Sequence, residues 1–240
     1  MRIGKFGFVN NFLPYYRLEK EGKFEIVEGT PRRLAELFEI GEIFYAPLPA
    51  FEVLKKGYNA GKFCVASDGE VYSVIVVSKR KRLDDSPIAI TENSMTSANM
   101  MKIIKAEKGL INRLVAVNGK VDEMLRNFDH ALVIGDEAIK ARMSYRVLMD
   151  LGEEWKELTG LPAVFGVSVS RVDGIDEEIL DSLKWGREHI DEVVSVASEK
   201  FRLPEEFLRK YFETLIHELG GKEKRSLELF GELCHEHGLL

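Results

Sequence analysis

The chain has 240 residues, 45% of them hydrophobic and 31% charged, with a formal net charge of −6. That length accommodates one large domain or two lobes with a sizeable core, and the composition excludes a disordered chain. The acidic balance argues against a general nucleic-acid surface, which needs a basic stripe to displace counterions from phosphates. Cys64 and Cys234 are too few and too far apart in sequence for a disulfide framework and fit a reduced compartment. No run approaches the ~20 apolar residues that span a bilayer. The opening MRIGKFGFVNNF lacks the basic stretch, apolar core and cleavage site of a signal peptide. A cytoplasmic protein with no membrane partner is therefore expected.

In chain order, Arg2 to Phe8 alternates and predicts a strand, followed by a turn over Val9 to Pro14 and a helix through Tyr15, Tyr16 and Leu18. A strand is expected at Phe24 to Glu28. Thr30 and Pro31 then supply a helix N-cap and first position, with Gly41 as the stop. Further strands are expected at Phe44 to Leu48, at the almost wholly apolar Val71 to Ser78, and at Ile88 to Ile90. Thr91 to Ser97 leads into a helix through Met100, Met101, Ile103 and Ile104. Ala131 to Asp136 runs from strand to glycine turn to helix. Asp150 to Thr159 is a charged helical turn around Trp155, and Thr159-Gly160-Leu161-Pro162 separates it from a strand at Val164 to Val169. Beyond that strand helices are expected almost throughout: Asp176 to Ser195, Pro204 to Leu219 closed by Gly220-Gly221, and a last one around Leu227 to Leu233. Repeated strand, turn and helix imply an α/β fold with parallel strands and right-handed crossovers.

Chemistry-bearing residues collect at strand ends. Ser94, Thr96 and Ser97 lie between a strand and a helix, where hydroxyls and free N–H groups either cap the helix or hold a carboxylate or phosphate. Asn10 and Asn11 follow the first strand, at the sheet end where open α/β folds bind ligands; an Asx turn is the simpler account of them. Gly135-Asp136 occupies the analogous place after another strand. The run Lys79 to Arg82 reads as a solvated connection. His217-Glu218 lacks a second His at 221 for a zinc-protease motif, and Cys234-His235-Glu236-His237 has no second ligand cluster. No phosphate loop or GxGxxG is present. The expectation is no metal, no cofactor and a small anionic ligand.

The segments RIGKFGFVNNFLPYYRLE, PRRLAELFEIGEI, GEVYSVIVVSK, SMTSANMMKII, LVIGDEAI, DLGEEWKELTGLPAVFGV and SLELFGELCHEHGLL, in that order, resemble the menaquinone biosynthesis family of the futalosine route. The resemblance implies a two-lobed α/β fold of the type II periplasmic-binding-protein kind, with a ligand cleft between the lobes and a helical C-terminal segment. Lobe one would hold residues 1–80 and 168–240, and lobe two residues 81–167. The chain is similar to the chorismate dehydratase branch, a hydro-lyase branch, because the 1,4-dihydroxy-6-naphthoate synthase branch opens differently and carries a catalytic His where Gly135 stands. A non-catalytic anion-binding protein is the alternative from another class. The implied reaction removes water from chorismate to give 3-[(1-carboxyvinyl)oxy]benzoate, with the substrate's own enolpyruvyl carboxylate as the suggested base. The resemblance assigns Asn11 to the reacting part of the substrate, with Asn10 as the alternative register. It gives Thr96 and Ser97, beside Ser94, one carboxylate, and Ser73 the other. Gly135 and Asp136 would line the opposite lobe. Departures at Pro49, Ala50, Ala163 and Ser168 imply a wider or differently tuned pocket, with Ser168 in its wall in place of a Trp.

Overall fold

A computed structural model describes residues 1–92 and 94–240; Asn93, within the expected lead-in to the Met100 helix, lies outside the described residues. The first part comprises β1 (Arg2–Phe6), a single turn at Val9–Asn11, α1 (Phe12–Glu21), β2 (Glu25–Gly29), α2 (Pro31–Glu39), β3 (Tyr45–Pro49), α3 (Ala50–Lys56) and β4 (Phe63–Ser67). The middle part comprises β5 (Val74–Ser78), β6 (Ile88–Thr91), α4 (Thr96–Glu107), β7 (Leu114–Val117), α5 (Val121–Asn127), β8 (His130–Ile134), α6 (Gly135–Ser144), β9 (Arg146–Asp150) and α7 (Leu151–Thr159). The chain returns through β10 (Ala163–Ser170) to α8 (Ile175–Glu188), α9 (Ile190–Phe201), α10 (Glu205–Thr214), β11 (Leu215–Glu218) and α11 (Gly221–Glu236).

Local chemistry accounts for the element ends. Thr30 Oγ1 accepts the Arg33 N–H at 3.3 Å, and Pro31 takes the first position of α2. Asp150 caps α7 in the same way. In β5 all five residues are buried: Val74 and Val76 pack into one core cluster, Ile75 and Val77 into another. A continuous apolar run is what burial of both strand faces requires.

Among the described residues the strands form two sheets, one ordered β11-β4-β10-β3-β1-β2 and the other β7-β6-β8-β5-β9. The expected parallel pairing holds for part of each sheet. β1 pairs in parallel with β2 and β3, and β6 with β7 and β8, whereas β10 is antiparallel to β3 and β4, and β5 to β8 and β9. Each antiparallel pair, that of β11 with β4 included, contains a strand adjoining one of the two passages between the sheets. By sheet membership the passages fall between Ser67 and Val74 and between Asp150 and Ala163. β5 lies on the lobe-one side of the expected 80/81 boundary yet pairs only with β8 and β9, while β10 straddles the expected 167/168 boundary and pairs with β3 and β4.

Other expectations change in detail. The strand expected from Val71 begins at Val74, because Val71 to Ser73 form a turn with Tyr72 at φ 62°. The helix expected over Asp176 to Ser195 is two helices, broken at His189. The helix expected to run to Leu219 ends at Thr214, and Leu215–Glu218 is a strand paired with β4; Gly220-Gly221 starts α11 instead of closing α10. Four residues are too few for periodicity to separate strand from helix.

Trp155 is fully buried on α7. Its Nε1–H donates to Ser226 Oγ on α11 at 2.9 Å, its ring meets Phe230 edge-on at 5.8 Å, and Ser226 donates in turn to the Pro162 carbonyl at 2.6 Å. The C-terminal helix is thereby fastened to the second passage. Trp155→Phe, which keeps a ring but removes the donor and some volume, should lower unfolding free energy by about 1–3 kcal/mol in chemical denaturation; a change near zero would show that this bond contributes nothing to the docking of α11.

Candidate functional site

The two passages between the sheets are tied together at one carboxylate. Asp150 accepts hydrogen bonds from the N–H groups of Val71 at 2.9 Å and Tyr72 at 2.8 Å in the first passage, and from Gly152 at 3.0 Å and Glu153 at 3.4 Å in the second. Burial lifts this carboxyl above its usual range, and the four N–H groups pull against that lift. Tyr72 is held in the left-handed region, at a cost of about 1–2 kcal/mol for a residue with a side chain. At Gly152 an added Cβ would lie 2.3 Å from the Gly69 carbonyl and 2.5 Å from Ser67 Oγ, so the close approach of the passages requires glycine.

Beside this junction lies a cleft that opens to solvent and is lined from both sheets. β1 and the turn after it contribute Phe6, Phe8 and Asn10; β3 contributes Pro49, and β10 contributes Phe165. Ser73 comes from the first passage. Ser94 to Ser97 and Ile134-Gly135 come from the second sheet's side. Among the described residues no Asp, Glu, His, Lys or Arg lines the cavity. Positive potential comes from backbone instead, since α4 and α6 begin at the lining residues Thr96 and Gly135 and direct N-terminal ends toward the space. Ser94 Oγ and Asn10 Oδ1 are buried with no hydrogen-bond partner among the described residues.

The two sides touch directly. Asp136 Oδ1 accepts the Val9 N–H at 2.8 Å, and Thr96 Oγ1 accepts the Phe51 N–H at 3.2 Å. Burial raises the Asp136 carboxyl, with the Val9 bond acting against it. Gly135 has φ +66°, and a Cβ there would meet the Phe8 ring at 2.7 Å. A side chain at 135 is thus opposed by backbone strain and by the facing wall.

Of the residues singled out in the sequence, Asn10, Ser73, Ser94, Thr96, Ser97 and Gly135 meet at this cavity. Three do not line it. Asn11 is fully buried, and its Oδ1 accepts the Phe6 N–H at 3.0 Å, so its side chain braces the turn that presents Asn10. Asp136 bridges the two sides as described. Ser168 Oγ donates to Asp176 Oδ1 at 2.7 Å, in a network with Tyr45 and the Phe63 N–H. Strand alternation turns it away from the cavity and brings Phe165 to the wall. Of the other departures, Pro49 lines the space, whereas Ala163 packs in the core cluster with Trp155. Lys79 and Arg80 pair with Asp129, at 3.4 Å and 2.8 Å. Cys234 is buried, and His237 pairs with Glu107 at 3.0 Å.

Sequence reasoning missed the aromatic wall of Phe6, Phe8 and Phe165, and it weighed His217 only as a metal ligand. Phe6 and Phe165 sit on strands as core residues do, and Phe8 lies just past the end of β1, so no local pattern marked them. His217 is buried in β11 and stacked on Phe63 with ring centres 5.6 Å apart; its Nε2 lies 3.0 Å from the Asn10 carbonyl. Only the N–H tautomer at Nε2 can donate there.

A family model described as menaquinone biosynthesis matches residues 1–236. The chain is 25% identical to the chorismate dehydratase of Thermus thermophilus, over 92% of this chain and 91% of that protein. Among solved structures, a protein of Archaeoglobus fulgidus superposes with a TM-score of 0.79 at 18% identity, over 100% of this chain and 98% of that one. The periplasmic aliphatic sulphonate binding protein of Escherichia coli superposes with a TM-score of 0.69 at 12% identity, over 100% and 88%. These two likenesses show the fold: two α/β lobes of the periplasmic-binding-protein kind with a helical C-terminal segment. Among the described residues no helix is long and apolar enough to cross a membrane.

Burial, opposed by the Asn10 bond, lowers His217 to about 4, against ~6.5 in an unfolded chain. Between those values the unfolded chain takes up a proton that the folded chain refuses. The stabilisation is therefore full above pH ~6.5 and is lost as pH falls toward 4, by up to ~3 kcal/mol. His217→Gln should flatten the pH dependence of unfolding free energy in that window; an unchanged slope would mean that His217 does not remain neutral in the fold.

Proposed function

The chain belongs to the menaquinone biosynthesis family, and we propose that it is a chorismate dehydratase, a hydro-lyase that converts chorismate to 3-[(1-carboxyvinyl)oxy]benzoate and water. The observation that carries this reading is the wall that, among the described residues, has no Asp, Glu, His, Lys or Arg, in a chain that resembles a chorismate dehydratase over 92% of its length. The reaction takes the proton from the ring carbon bearing the ether and expels the hydroxyl from the neighbouring carbon. Aromatisation of the ring drives it, so the protein's task is orientation and charge stabilisation. A wall with no acid or base leaves proton removal to the substrate's own enolpyruvyl carboxylate.

In this reading the α4 N-terminus, with Ser94, Thr96 and Ser97, receives one carboxylate, and Ser73 meets the other. Phe6, Phe8 and Phe165 hold the ring. Asn10, which lines the cavity, hydrogen-bonds the reacting portion, while Asn11 supports it from behind. A naphthoate synthase-type reaction is disfavoured by Gly135, where the required imidazole would need space that the Phe8 ring occupies. The futalosine route and a cytoplasmic location complete the proposal. The same uncharged wall favours one second reading, a protein that binds a small carboxylate without converting it.

Purified protein incubated with chorismate separates the two. Appearance of the enolpyruvyl benzoate, followed by aromatic absorbance and mass, is expected; calorimetric binding without product would favour the binding protein. Asn10→Ala should lower kcat/KM by about 10²-fold with little change in stability. Asn11→Ala should instead cost about 1–3 kcal/mol of stability by leaving the Phe6 N–H unpaired. The opposite pattern would return the reacting role to Asn11.

A further inference from the structure

The C-terminal segment reaches the cavity wall at a second point. Tyr211, on α10, is fully buried, and its hydroxyl lies 2.8 Å from Ser73 Oγ. Its ring stacks on Phe207, with centres 5.8 Å apart, and Phe207 meets Tyr72 edge-on at 6.1 Å. One face of α10 thus packs on the passage that carries Ser73. The Ser73 backbone is fixed independently, its N–H bound to the Val71 carbonyl and its carbonyl to the Gly135 N–H, both at 2.7 Å.

Two hydroxyls in contact can share a proton in either sense, and burial decides which. Among the described residues Ser73 Oγ is the one hydrogen-bond partner of the phenol, so the phenol must donate there or leave a buried O–H unpaired. Burial also pushes the Tyr211 phenol far above its ordinary value, so the phenol keeps its proton. With one of its lone pairs engaged by Tyr211, Ser73 keeps its own O–H free to donate elsewhere, and that residue lines the cavity. We propose that Tyr211 is a positioning residue: it orders the Ser73 hydroxyl as a hydrogen-bond donor directed into the cavity, selecting an anionic oxygen, a carboxylate of the bound ligand, at that end of the site. The proposal deepens the dehydratase reading and rests on it only for its kinetic readout.

The test is a double-mutant cycle of Tyr211→Phe and Ser73→Ala, read by chorismate turnover. Tyr211→Phe should raise KM about fivefold to tenfold with kcat nearly unchanged, because a hydrogen bond to a bound carboxylate contributes alike to ground and transition states. In the Ser73→Ala background the same substitution should leave KM where Ser73→Ala alone set it, while any loss of thermal stability recurs. An equal KM effect in both backgrounds, or none in either, would overturn the proposal. If the wild-type protein neither binds nor converts chorismate, the dehydratase reading fails. Neutron diffraction from deuterated crystals then decides the hydroxyl question without a ligand: a Ser73 deuteron facing the cavity upholds the proposal, and one on the line to the Tyr211 oxygen overturns it.

Discussion

The architecture depends on a buried carboxylate placed where the chain passes twice between its sheets. Asp150 binds two N–H groups of the outgoing passage and two of the returning one. A buried carboxylate is costly unless hydrogen-bonded, and these four donors are themselves groups that neither sheet satisfies. The cost of each is relieved by the other. The arrangement holds Tyr72 in a left-handed conformation and sets the position of Ser73 at the edge of the cavity.

From that junction the cavity takes its character. Among the described residues its recognition elements are helix ends, hydroxyls and the Asn10 amide, with aromatic rings around them. In the proposed reading such a wall stabilises anionic oxygens through fixed dipoles that need no reorganisation, and among the described residues it adds no side chain that competes as acid or base. An elimination driven by aromatisation suits it, because the energy gained by the substrate reduces what the protein must supply.

The segment after β10 is more than a cap. α11 holds α7 through Trp155 and Ser226, β11 places His217 behind Asn10, and α10 places Tyr211 behind Ser73. Each uses a buried donor whose direction is dictated by a lack of alternatives. Asn10 and Ser73 in the cavity wall are thus each backed by a residue, His217 or Tyr211, that does not itself line the space.

The sequence by itself determined the alternation of strands and helices, the Thr30-Pro31 helix start, the doubly buried strand up to Ser78 and the hydroxyl cluster at Ser94 to Ser97, because local periodicity and capping chemistry act over a few residues. The order of segments also made the family legible. Tertiary structure alone decided which neighbouring residue faces the cavity. Asn10 and Asn11 are chemically identical, and the Phe6 N–H captures one of them. Ser168 and Phe165 share a strand, and pairing with β3 and β4 sets which of its faces meets the cavity. β11 is a strand because an edge of β4 was available to it, and His217 and Tyr211 acquire their roles from contacts with residues more than a hundred positions away. Such contacts leave no trace in local pattern, since they depend on long-range packing rather than on the propensities of adjacent residues.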